Sequence, residues 1–214
     1  MCLLVLSLAA FSFFLQTASS IKNIASEISI AALRSFKKIL LQYQKVAEFS
    51  SIALIEVDSE LGAGTGGQSM GTAALREAAI QKQSALMHAE NGVLSLDSLK
   101  VQTENCADAL GHKHKHAKYI DALYKVLNGT SELVAQTLQA GLFPVVLGGD
   151  RSTAAGTIAG IKKAFPDRRL GVVWMDAHAD IHSPYTTPSG NMHGMPLAIA
   201  TTTDNFAKKI NDLD

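Results

Sequence analysis

The apolar run from Leu170 to Met175 breaks off without a spacer into Asp176, His178 and Asp180. A buried strand of a parallel sheet reads as such a continuous apolar run, and open α/β sheets place their binding residues beyond the strand carboxyl ends. The pattern therefore predicts a buried strand over 170–175 with a polar crevice at its tip. In a continued strand, residues four apart lie about 13 Å from each other, whereas the ligands of one ion, bound at about 2.1 Å, stand within about 4 Å of one another. Asp176 and Asp180 can converge only if the chain turns sharply between them. Two carboxylates and an imidazole form a hard oxygen and nitrogen set suited to manganese, iron or zinc. A solvated acidic loop is the alternative reading of the same residues.

A second apolar run, Phe143 to Leu147, ends in Gly148, Gly149 and Asp150, so two strand tips are expected to face one crevice. Ser51 to Val57 reads as the first strand, Gly62 to Gly67 as a glycine-rich loop and Met70 to Gln81 as a helix. The stretch 85–102 is ambiguous, with a short strand expected around Val93 to Leu96. A long helix is predicted over Ala117 to Ala140, interrupted or bent near Asn128 and Gly129. Another is predicted from Thr153 to Phe165, ended by Pro166. Strands and helices in alternation imply a parallel sheet with right-handed crossovers.

Four segments carry a family likeness: GGDRS at Gly148–Ser152, DAHAD at Asp176–Asp180, SGNMHGMP at Ser189–Pro196 and, more weakly, SELGAGTGGQSMGTAALR at Ser59–Arg76. With them the chain from about Ser51 onward resembles the ureohydrolase family, arginase most closely. The resemblance implies a three-layer α/β fold with a mainly parallel sheet, incomplete at the carboxyl end. It also implies two Mn ions bridged by a hydroxide, which attacks the guanidinium carbon of arginine to give ornithine and urea; metals lower the pKa of such a bridging water. On the same grounds Asp176 corresponds to a carboxylate bridging both ions and His178 to a ligand of one. Asp180 corresponds to a ligand of the other within the catalytic group, and His193 to the proton shuttle. Thr187, Ser189 and Asn191 resemble the residues that hold the substrate α-carboxylate, which favours arginine over agmatine. His182 stands where arginases commonly carry asparagine near the substrate. Cytoplasmic location and assembly into trimers or hexamers follow as family expectations.

Two departures bear on activity. The family's first motif ends in a metal-binding histidine, but this chain has Arg151, which is permanently charged and offers no lone pair. A guanidinium about 4 Å from a divalent ion costs at most about 8 kcal/mol at an effective dielectric of about 20. The family also draws ligands from an Asp-x-Asp pair on a later strand. Asp212 and Asp214 match that pattern only nominally, because they end the polar run Asn205 to Asn211. The expectation is one Mn ion or none, and an impaired hydrolase; the alternative is a non-catalytic remnant or binding protein of the same fold.

Composition excludes several other classes. With 19 basic and 19 acidic residues the chain gives no sign of a nucleic-acid partner. Cys2 and Cys106 are too few for a disulfide framework. Residues 1–20 form an apolar segment without a positive start, too short for a stable membrane span; they are a signal peptide, implying secretion, or a non-native extension. Residues 21–50 read as an amphipathic helix, and 51–214 as the amino-terminal part of the catalytic domain. Asn128-Gly129-Thr130 is a glycosylation acceptor if the chain is secreted. Gly62, Gly64 and Gly67 approach a dinucleotide fingerprint, which leaves a small nucleotide-binding module as a remote alternative. His112, His114 and His116 alternate with lysines in a loop, and His88 stands without a partner in sequence.

Overall fold

The computed structural model describes residues 51–82, 99–101 and 113–201. The predicted segments 1–20 and 21–50, the strand at Val93–Leu96, His88, His112, both cysteines, Asp212 and Asp214 lie outside them. The sheet has three parallel strands in the order β2, β1, β3: β1 is Ser51–Val57, β2 Leu99–Lys100 and β3 Leu142–Gly148. Strand β1 forms because its side chains are buried on both faces, with Leu54, Ile55 and Val57 almost fully enclosed. Glu56 is the exception in kind, a carboxylate 2% exposed in mid-strand. A buried charge is costly unless paired, and Arg76 of α1, the helix Gly71–Gln81, supplies the ion pair.

The crossover helix α2, Ile120–Gln139, starts after Tyr119 in the left-handed region at φ 57°. It passes Asn128 and Gly129 without the interruption that is one of the two expectations there, the other being a bend. Glycine costs about 1 kcal/mol in a helix interior; here the buried face of Leu123, Val126, Val134 and Leu138 outweighs it. The Thr130 hydroxyl donates to the Val126 carbonyl at 2.8 Å and is fully buried, so the Asn128 triplet sits in a packed helix. Helix α3, Thr153–Ala164, packs closely on α2: a side chain at Gly156 or Gly160 would stand 2.6 Å from the backbone oxygens of Leu127 or Ser131. A short helix, α4, covers Pro196–Thr201. Among the described residues no helix is long and apolar enough to cross a membrane.

The predicted buried strand over 170–175 is corrected. Apart from an isolated bridge at Gly171, this segment joins no ladder among the described residues. Its burial alternates instead. Val172 and Trp174 pack against the core, while Val173 and Met175 are 44% and 54% exposed. An unbroken apolar run thus conceals a chain held by every second side chain, with its other face open.

Candidate functional site

The register pairs Val57 with Gly148, so the loops that follow β1 and β3 leave the same sheet edge. Gly149 N donates to Val57 O at 3.0 Å, and a Cβ at Gly149 would lie 2.4 Å from Ser59 O, so no larger residue fits that junction. Asp150, 2% exposed, then accepts the backbone N–H of Gly62 at 2.9 Å and that of Ser152 at 2.8 Å. Burial raises its pKa even though these hydrogen bonds oppose the shift. Gly62 in turn accepts the N–H of His193 through its carbonyl at 2.9 Å. Asp150 therefore positions His193 through one intervening residue, a role that sequence reasoning missed; its only signal was a carboxylate at a glycine-glycine strand tip.

The glycine-rich loop is likewise committed internally. The Glu60 carboxylate accepts the N–H groups of Gly67 at 2.8 Å and Ser69 at 3.1 Å, and Asp150 takes that of Gly62. Three backbone donors of this loop that could serve a phosphate thus already serve carboxylates of the chain. The nucleotide reading receives no support from this geometry.

The chain does bend after Asp176, and Asp180 adopts the left-handed region at φ 51°. This is the sharp turn that the spacing demands, at a residue type that tolerates it. It brings Asp176, His178 and Asp180 together around the Arg151 guanidinium. Arg151 NH1 donates to Asp176 Oδ1 at 3.0 Å and to His178 Nδ1 at 2.9 Å, and NH2 donates to His193 Nδ1 at 3.4 Å. Arg151 Nε stands 3.3 Å from Asp180 Oδ2, an ion-pair distance without hydrogen-bond alignment. Because arginine only donates, both imidazoles accept at Nδ1 and carry their proton on Nε2. Burial raises the Asp180 pKa to about 6, against the opposing pull of Arg151. Burial, then the Arg151 charge, lowers that of His193.

The substrate-loop residues fall beside this cluster with their groups turned onto their own backbone. Thr187 Oγ1 accepts Gly190 N at 3.0 Å and Ser189 Oγ accepts Asn191 N at 3.2 Å. Asn191 Nδ2 donates to Ala63 O at 2.8 Å, which ties this loop to the one after β1. His182 N donates to Gly194 O at 3.0 Å, next to His193, and the His182 ring meets Thr186 Oγ1 at 3.2 Å. His114 and His116 precede α2, and Lys118 N donates to Gly190 O at 2.9 Å, so their loop braces this one.

Do these residues fit a manganese ion? The donor chemistry suits one, and among the described residues Asp176 Oδ2 and Asp180 Oδ2 are buried without hydrogen-bond partners. The cation between the two carboxylates, however, is the guanidinium of Arg151. Among the described residues no group of three or more His, Cys, Asp or Glu side chains is arranged to hold a metal. With Arg151 in place the set does not fit the ion.

Comparison with known proteins agrees with the motif likeness. Residues 50–210 match the family described as "Arginase family". The chain is 36% identical over 147 residues to an arginase of Bacillus caldovelox, covering 69% of this chain and 47% of that one. It is 36% identical over 154 residues to an arginase of Brevibacillus brevis, with the same two shares. Among solved structures, Entamoeba histolytica arginase in complex with L-ornithine superposes with a TM-score of 0.63 at 28% identity, over 77% of this chain and 53% of that one. The native Bacillus caldovelox arginase gives 0.55 at 34% identity, over 70% and 48%. The α/β architecture is thus shared, and the chain spans about half the length of the curated relatives it matches.

Proposed function

The chain belongs to the arginase family, and from that premise we propose that its site serves hydrolysis of a guanidino substrate, L-arginine to L-ornithine and urea, impaired by Arg151. One observation carries the reading: two carboxylates and two imidazoles from separate segments converge at the edge where the β1 and β3 loops emerge. His193 is kept neutral at neutral pH by burial and by the neighbouring guanidinium, so it can take up and release a proton. Its backbone is pinned through Gly62. Thr187, Ser189 and Asn191 would orient an α-carboxylate, the group that distinguishes arginine from agmatine. Manganese activation of water is the chemistry of the family site. No step is assigned to it in this chain, because Arg151 stands in the cation position.

That same placement favours the impaired form over a fully competent one. The test is urea release from L-arginine in manganese buffer by the parent chain and by Arg151→His. The substitution should raise turnover at least about tenfold, a change of about 1.4 kcal/mol in barrier, with agmatine a poorer substrate than arginine. No urea from Arg151→His, or equal turnover of agmatine, would refute the reading.

A further inference from the structure

We infer that Arg151 is a built-in cation that takes the place of a metal ion and makes this cluster an ion-pair staple independent of metal. The first ground is geometric. All three guanidinium nitrogens are engaged, NH1 by Asp176 and His178, NH2 by His193 and Nε by Asp180. A rigid planar fork suits such multiple contacts in a way that a flexible ammonium does not.

Burial is the second ground. The Arg151 side chain is 13% exposed, and those of Asp176 and Asp180 are 1% and 2% exposed. Two carboxylates so enclosed require a cation, and each keeps one oxygen without a hydrogen bond among the described residues, so the guanidinium is their main compensation.

The third ground is the anchorage of Arg151 itself. Its carbonyl accepts Ala154 N at 3.1 Å at the start of α3, and it lies between Asp150 and Ser152, whose side chains are buried. The guanidinium therefore extends from a fixed base. The segment it grips is the one without a backbone ladder, residues 172–180, so the staple fastens to the sheet edge what the strands do not. In a metal-held site a chelator would loosen that segment; here loss of Arg151 should, and a chelator should not. The inference rests on the cluster alone and does not depend on which substrate the site takes.

The test compares thermal unfolding of the full chain and of Arg151→Ala, Arg151→Lys and Arg151→His in about 1 mM EDTA or about 1 mM MnCl2, since a ligand that binds only the folded state raises its midpoint. The parent midpoint should differ by less than about 1 °C between the two buffers. Arg151→Ala should unfold at least about 5 °C lower in EDTA and recover in part with manganese, which can enter the vacated position. Arg151→His should bind Mn2+, titrated by its paramagnetic resonance signal, at least about tenfold more tightly than the parent. Arg151→Lys, which keeps the charge but not the fork, should fall between parent and alanine, and it carries the stability test if the alanine variant does not fold. A parent chain that manganese stabilises by more than about 3 °C, or a lysine variant as stable as the parent, overturns the inference. Failure to release urea would sink the hydrolase reading and leave this one standing, whereas tight manganese binding by the parent would overturn this inference and leave hydrolysis to be decided by urea release.

Discussion

Two segments deliver polar groups to the same crevice, and they are built by opposite means. The tip of β3 is continuous with a ladder seven residues long, Ser51–Val57 against Leu142–Gly148, and Asp150 extends that order into the loops by gathering two backbone N–H groups. Residues 170–180 have no such ladder among the described residues; they lie on the core by alternate side chains and are fastened at the far end by Arg151. Backbone pairing fixes position whatever the side chains do, whereas side-chain fastening is only as good as its individual residues. Substitutions at the β3 tip should therefore disturb the whole fold, and those in the second segment should act locally.

The sharpest way to break this contrast is Gly149→Ala. The added methyl would meet Ser59 O at 2.4 Å and Gln68 O at 3.2 Å, both backbone atoms that cannot rotate away. Overpacking of this kind costs about 3 kcal/mol, visible as a lowered denaturation midpoint. A loss below about 1 kcal/mol would mean that the junction is slack. Asp150→Ala comes next, because it strands the buried N–H groups of Gly62 and Ser152 while relieving a desolvated carboxyl; a net loss of about 2 kcal/mol is expected. It should also lower any urea release by Arg151→His, since Gly62 holds the backbone of His193.

The same contrast explains what the sequence disclosed. Strand β1 was legible to the residue, because a two-sided parallel strand leaves a nearly continuous apolar signature, broken after Ile55 only by Glu56. The turn within DAHAD was legible too, since converging side chains at that spacing permit no straight chain, and Asp180 duly takes a left-handed conformation. The burial of residues 170–175 was misread: an apolar run says that something is covered without saying how many faces are. The break expected in α2 followed from a glycine whose cost the packing of Leu123 and Val134 absorbs. Arg151 was read as repelling a metal, which its charge dictates; that it pairs with both carboxylates, 25 and 29 positions away in sequence, is information held only in three dimensions. Asp150 and Gly62 are 88 positions apart, and no local pattern announces their bond.

The pH dependence offers a third, smaller test. The His193 pKa is lowered from 6.5 by folding, so the folded state binds that proton less well than the unfolded chain. Its contribution is fully present above about pH 6.5 and is lost as the pH falls further. Asp180, raised from 3.8 to about 6, acts in the other direction: the folded chain holds that proton better, and stability is gained as the pH falls from about 6 toward 3.8. The two oppose one another on acidification. His193→Gln removes the unfavourable member, so the variant should lose less stability than the parent between about pH 7 and pH 5 in denaturant titrations. A steeper acid loss in the variant would contradict the assigned shift.

The smallest effect should come from the outward face of residues 170–175, and for that reason it separates the two modes of construction most cleanly. Val172 points into the core and Val173 away from it, 44% exposed. If only alternate side chains of residues 170–175 pack on the core, Val172→Ala should cost about 1 kcal/mol through lost packing, while Val173→Thr stays within about 0.5 kcal/mol. In a strand buried on both faces the two would cost alike. Equilibrium unfolding of the pair decides the matter: a penalty above about 1 kcal/mol at Val173 would mean that its exposed face is covered in the folded protein. Residues 170–175 would then be held as β1 is, and the opposition between ladder and staple would give way to two strands of one kind.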